Sequence, residues 1–127
     1  MSGITIRSLV QSWETVRFEL LKTRVSDLHL TVEGSPLERF VLRLRREMDV
    51  KRLRFKPEVY LTDSWGCPDR TPVIGVPFYL CNAGLCEIVS EFTGSPAEPE
   101  NEITKILRHE AGHAFNYAYR LYTEPEW

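Results

Sequence analysis

The sequence contains two histidines four residues apart, with a glutamate directly after the first, in the stretch RHEAGH at 108–113. Each residue of an α-helix advances by ~100°, so His109 and His113 point in nearly the same direction, one turn apart. Two imidazole nitrogens presented in this way can bind one zinc ion. Glu110 lies beside them, where its carboxylate can act as a general base toward water, as in the H-E-x-x-H motif of zinc hydrolases. We therefore expect Zn2+ as the cofactor, with His109 and His113 as its ligands.

A catalytic zinc site normally has three protein ligands, and the third is not evident here. A metzincin would need a glycine and a histidine where this sequence has Asn116 and Tyr119, so that class is excluded. The carboxylates of Glu124 and Glu126 follow the motif too closely to fold back easily onto the metal. Two upstream candidates have no better support, namely Asp63 and Cys67. We interpret the third ligand as lying in a segment that this chain lacks.

The motif also has a purely structural interpretation. Matches to H-E-x-x-H occur by chance, and in a structural domain His109 and His113 would simply be surface residues. The surrounding pattern favours a site, because apolar residues recur at helical spacing on the opposite side of the same segment. These residues are Ile103, Leu107, Ala111, Ala114, Ala118 and Leu121.

Two upstream segments have the composition of strands. EVYLTD at 58–63 alternates in hydrophobicity, and VIGVPFYL at 73–80 is rich in β-forming residues. Pro77 lies inside the second segment and cannot donate a hydrogen bond to a central ladder. The sequence therefore predicts that 73–80 is an edge strand.

The remaining segments are mainly helical. SPLE at 35–38 predicts a helix start, with Ser35 as cap, Pro36 in the first turn and Glu38 completing a capping box. Before this helix, the pattern predicts an amphipathic helix over 8–25 and a short strand over 28–34. After the second strand, residues 83–92 are ambiguous between helix and strand. An exposed connection is predicted over 93–101, followed by a long helix from 102 to about 121.

The composition is that of one ordinary globular domain. Hydrophobic residues make up 43% and charged residues 27% of the 127 residues. The net charge of −2 gives no reason to expect binding to nucleic acid or to an acidic membrane. No apolar run approaches the ~18 residues of a membrane span, and the N-terminus has no signal-peptide pattern. We therefore expect a cytoplasmic protein.

Two other groups of residues have ordinary explanations. The sequence has an odd number of cysteines and no close pair among them, namely Cys67, Cys81 and Cys86. This count and spacing indicate reduced thiols rather than a disulfide framework. The basic run at 39–56 is diluted by acidic residues, which favours a solvated face over a nucleic-acid surface.

The segments FKPEVYLTDSWGCPDRTPVIGVPFYL and ITKILRHEAGHAFNYAYRLY resemble a bacterial family of zinc-binding metallopeptidases. The likeness covers most of residues 26–122, through D-x-W, I-x-x-P-F-Y-L, and R-H-E-x-G-H-A followed by Y-A-Y-R-L. By this resemblance His109 and His113 match the zinc ligands and Glu110 the base. Family members look longer than this chain and continue past Trp127 into an acidic helical stretch that could supply a glutamate ligand, as in gluzincins.

Together these observations predict an α+β, zincin-like domain over residues 1–127, lacking its C-terminal part. It would have a small twisted mixed sheet with an edge strand packed on helices. The predicted function is zinc-dependent hydrolysis of a peptide or protein substrate. Strand addition would hold the substrate at Ile74, Gly75 and Val76, with Tyr117 as a hydrogen-bond donor. The alternative is a metal- or peptide-binding module that does no chemistry because the third ligand is absent.

Overall fold

The computed structural model describes the backbone of residues 6–126 and the side chains of residues 13–126. Within these residues, four α-helices and two strands form the fold, together with three short 3-10 turns. In chain order they are α1 (Ile6–Lys22), α2 (Glu38–Val50), β1 (Glu58–Thr62), β2 (Val73–Pro77), α3 (Ala83–Thr93) and α4 (Glu100–Ala118); the 3-10 turns are Val25–Leu28, Phe78–Cys81 and Leu121–Thr123. The predicted α+β class is confirmed, and the zincin-like fold stays a prediction.

Most of the predicted helices are present, and one predicted strand is not. The structure assigns the ambiguous residues 83–92 to α3, which Asn82 caps by accepting a hydrogen bond from the Leu85 N–H at 3.0 Å. The strand predicted over 28–34 is wrong, because the chain there makes turns and has a left-handed φ of 50° at His29. Alternating hydrophobicity in so short a segment was not sufficient to specify a strand without a partner.

The start of α2 uses the predicted capping chemistry with shifted partners. The Ser35 hydroxyl accepts a hydrogen bond from the Leu37 N–H at 3.2 Å. The Glu38 carboxylate accepts one from the Gly34 N–H at 3.3 Å, and the helix begins at Glu38. Side chains therefore satisfy backbone donors on both sides of the turn, as in a capping box.

The two strands pair in parallel, from Glu58 opposite Val73 to Thr62 opposite Pro77. The connection between them, residues 63–72, folds back along the other edge of β2 and is called here the 63–72 loop. Gly66 and Gly75 form an antiparallel bridge, with N···O distances of 2.7 and 3.1 Å. The second strand thus has hydrogen-bonded neighbours on both sides.

In this two-stranded sheet β2 is an edge strand, as predicted, but the edge away from β1 is partly occupied. On the edge away from β1, Gly75 bonds to Gly66 and the Val73 N–H donates to the Thr71 carbonyl at 2.9 Å. Backbone groups alternate along a strand, so those of Ile74 and Val76 point toward β1. Substrate binding at Ile74, Gly75 and Val76 by strand addition stays a prediction, and it would require the 63–72 loop to move away.

The core lies between α2, β2 and α4. Ile74 and Val76 are fully buried, and the apolar face of α4 packs against them and against α2. Arg108 of α4 also forms an ion pair with Glu47 of α2, with an Nη2–Oε2 distance of 2.7 Å. These contacts fix one side of α4 and leave its other side for the histidines.

Among residues 6–126, no helix has both the length and the apolar character needed to cross a bilayer.

Candidate metal centre

Helix α4 separates an apolar face from a face that carries the two histidines. The predicted core residues Ile103, Leu107, Ala111 and Ala114 are all buried, which confirms that part of the pattern. His109 and His113 are exposed on another side of the helix. The packing of the first face therefore sets the direction in which the imidazoles point.

The two imidazoles converge. Their Nε2 atoms lie 3.1 Å apart, with ring centroids 4.7 Å apart and ring planes at 81°. Tetrahedral zinc with bonds of ~2.0–2.1 Å requires roughly 3.3 Å between two ligand nitrogens. The His109 and His113 rings therefore fit a shared zinc ion with only a small adjustment.

The same separation also suits a hydrogen bond in which one neutral imidazole donates its Nε2–H to the other. Neither arrangement accommodates two doubly protonated rings, since two N–H donors would then face each other. Zinc at this position would compete with protons for the same lone pairs.

Glu110 is the one buried charged residue in the part of the chain whose side chains are described, at 9% exposure. No hydrogen bond or ion pair joins its carboxylate to another described residue. Among the described side chains, the oxygen that has neither a hydrogen-bond partner nor contact with solvent is Asn116 Oδ1. The carboxylate oxygens of Glu110 are not enclosed to that degree, so they keep some contact with solvent. A buried, unpaired carboxylate is costly, and a water or a cation beside it would reduce that cost. The sequence predicted Glu110 at the margin of the histidine face, and the structure places it deeper.

One residue of the 63–72 loop, Cys67, is within electrostatic range of this carboxylate. The Cys67 thiol donates to the Thr71 carbonyl at 3.2 Å. Burial raises the pKa of Cys67, and the negative charge of the Glu110 carboxylate raises it further.

Within the described side chains, no three His, Cys, Asp or Glu residues lie close enough together to hold a metal ion. None of the four candidates for a third ligand therefore joins the histidines in this conformation. Those candidates are Asp63, Cys67, Glu124 and Glu126.

A carboxylate that the sequence did not single out fixes the start of the 63–72 loop. Glu98, just before α4, accepts a hydrogen bond from the Tyr79 hydroxyl at 2.7 Å and another from the Trp65 Nε1–H at 3.2 Å. Burial raises the pKa of Tyr79, and its bond to Glu98 raises it further, well above the usual range. Trp65 belongs to D-x-W and Tyr79 to P-F-Y-L, but nothing local indicated that Glu98 joins them.

Tyrosines continue the site beyond His113. The Tyr117 ring lies 6.4 Å from the His113 ring, with 24° between their planes, so this tyrosine is next to the histidines as predicted. The Tyr122 ring follows at 6.1 Å from that of Tyr117. The guanidinium of Arg70, from the 63–72 loop, lies 5.4 Å from the Tyr122 ring centroid. The sequence indicated neither Tyr122 nor Arg70 as part of the site.

No family model, curated protein or solved structure matches the chain. The resemblance to zinc-binding metallopeptidases therefore stays a prediction from the motifs. The functional argument depends on the geometry of α4 and of the 63–72 loop.

Proposed function

We propose that this protein is a zinc-dependent metallopeptidase, with His109 and His113 as zinc ligands and Glu110 as the general base. The observation that supports it most directly is the 3.1 Å separation of the two Nε2 atoms. It is supported further by the buried, unpaired carboxylate of Glu110 beside them. The motif resemblance described above agrees with the same assignment.

Each residue has a defined task in this proposal. His109 and His113 would hold zinc, which supplies a Lewis acid that polarises the scissile carbonyl and acidifies the attacking water. Glu110 would accept a proton from that water as its oxygen attacks the carbonyl carbon. The same carboxylic acid would then give the proton to the amine nitrogen as the C–N bond breaks. The products are a carboxylate and an amine.

A second candidate function is metal or peptide binding without hydrolysis. It is favoured by one specific observation, the lack of a third ligand near the histidines among the described side chains. Two imidazoles alone leave two tetrahedral positions to solvent or to a partner's donor atom. Such a site can bind zinc without arranging the water that hydrolysis requires.

Zinc titration followed by calorimetry tests the first requirement of the proposal, which is that the protein binds zinc through the two histidines. The wild-type protein should bind one equivalent of zinc, and His109→Ala or His113→Ala should reduce the affinity at least tenfold, about 1.4 kcal/mol. His29→Asn is a matched control, because His29 is the third histidine, is exposed and has a left-handed φ that asparagine tolerates. A wild-type protein with no zinc affinity would contradict the peptidase and would leave, of the second candidate, peptide binding alone. Zinc binding without cleavage of any peptide in a mixed library would favour the second.

A further inference from the structure

A cationic and aromatic surface lies next to the candidate zinc site. It consists of Tyr117, Tyr122 and Arg70 and is called here the tyrosine–arginine shelf. Starting from His113, successive ring contacts of 6.4 and 6.1 Å lead through Tyr117 to Tyr122. The Arg70 guanidinium then covers Tyr122 at 5.4 Å. The shelf thus joins the C-terminal end of α4 to the 63–72 loop.

The Arg70 guanidinium is available to a ligand. Its side chain is 70% exposed, and its ion-pair neighbour among the described residues is Asp69 at 3.9 Å, itself 84% exposed. A long pair between two exposed neighbours in the chain holds the guanidinium only weakly. The cation–π contact with Tyr122 orients the group without using its hydrogen-bond donors.

A second arginine adds positive charge at the same end of the helix. Arg120 lies between Tyr117 and Tyr122 in the chain, is exposed, and makes no ion pair with any described residue. Arg70 and Arg120 both have left-handed backbones, with φ of 58° and 55°, a conformation that is strained for residues other than glycine. The acidic residues that follow, Glu124 and Glu126, are exposed and form no ion pair with either arginine.

We infer that the tyrosine–arginine shelf binds a carboxylate of the peptide substrate. A guanidinium can donate two parallel hydrogen bonds to a carboxylate, and the flat tyrosine rings give an extended chain an apolar surface to lie on. An extended peptide rises ~3.3 Å per residue, so the shelf would receive a carboxylate a few residues from the bond at the zinc site. The inference rests on the proposed function and narrows its substrate to peptides with an acidic side chain or a free C-terminal carboxylate.

Peptide binding measured by fluorescence anisotropy, in the presence of a chelator, tests the inference without hydrolysis. The probes are short glutamine-rich peptides in which a single glutamate occupies each position in turn, each made with a free or an amidated C-terminus. We expect at least one glutamate or free-acid peptide to bind about tenfold tighter than its neutral counterpart, as for a charge-assisted hydrogen bond. Arg70→Ala should abolish that preference, and Arg70→Lys should restore part of it. Arg24→Ala, which removes an exposed arginine of another segment, should leave it unchanged.

The outcomes separate this inference from the proposed function. Equal affinity for charged and neutral peptides, or a preference that survives Arg70→Ala, would overturn the role of the shelf even if zinc binds as proposed. A preference for carboxylate that depends on Arg70, in a protein without zinc affinity, would support the shelf and contradict the peptidase. If only the peptides with a free C-terminus bind more tightly, the carboxylate that the shelf recognises is the chain end. If only the glutamate peptides bind more tightly, it is an acidic side chain.

Discussion

Gly66 and Gly75 exchange two backbone hydrogen bonds, so the chain that leaves β1 returns to cover the far edge of β2 before it enters that strand. The bridge holds the 63–72 loop against β2, and Cys67 of that loop is within electrostatic range of Glu110. Gly75 is also covered from the sheet face, because a Cβ there would lie 2.9 Å from the Thr62 methyl and 3.0 Å from the Tyr60 hydroxyl. The two glycines therefore occupy very different surroundings.

Gly75→Ala should destabilise the protein by about 1–3 kcal/mol, because the added methyl group must displace the Tyr60 ring or the Thr62 methyl. Gly66→Ala is the matched control, since a Cβ at Gly66 would have no atom within 4 Å. The control should change the free energy of unfolding by less than about 0.5 kcal/mol. Urea denaturation of both variants measures the difference. Equal stabilities would show that the sheet face over Gly75 adjusts freely.

Glu110→Gln should keep zinc affinity and lower peptide hydrolysis by about 10²- to 10⁴-fold, because the amide cannot take a proton from water. The variant should be at least as stable as the wild type, because it replaces a buried charge that has no partner among the described residues. Glu126→Gln is the control, since Glu126 is an exposed carboxylate outside α4. Hydrolysis that survives in Glu110→Gln would refute the assigned base, and loss of zinc would instead make Glu110 a ligand.

Glu98→Ala should cost about 1–3 kcal/mol of stability, because it leaves the Trp65 N–H and the Tyr79 hydroxyl without their common acceptor. Tyr79→Phe and Trp65→Phe should each cost less. A double-mutant cycle of Glu98→Ala with Tyr79→Phe measures the coupling between the two side chains. A coupling energy near zero would mean that solvent replaces the 2.7 Å hydrogen bond without loss.

Tyr79 also predicts a pH dependence. Its folded-state pKa is raised above the ordinary value of 10.0 by burial and by Glu98, so the unfolded chain loses this proton first as the pH rises. The contribution to stability is complete below pH 10 and is lost progressively above it. Tyr79→Phe should therefore show a shallower loss of stability above pH 10 than the wild type in urea unfolding. Identical slopes in the two proteins would contradict the raised pKa.

Local patterns were sufficient to predict the histidine helix. The spacing of Ile103, Leu107 and Ala111 identified its buried face, and the four-residue spacing of the histidines placed their rings together, because both follow from the helical repeat. The burial of Glu110 was not predictable in this way, since helical spacing does not say what packs against a position at the margin of the apolar face.

Contacts between distant residues account for what the sequence did not predict. Glu98 meets Trp65 across 33 residues, and the bridge at Gly75 depends on the path of the 63–72 loop. Pro77 correctly predicted that β2 is an edge strand. The proline did not indicate that the 63–72 loop would pair with the free edge of β2 at Gly75. Periodicity describes one element at a time and contains no information about such partners.

The bridge at Gly75 also has a consequence for inhibitors. The protein supplies its own competitor for this strand edge, and a tethered competitor acts at a high effective concentration. Short extended inhibitors that depend on backbone pairing alone should therefore be weak ligands. If zinc binds as proposed, compounds that chelate it and place an acid near Arg70 would avoid that competition.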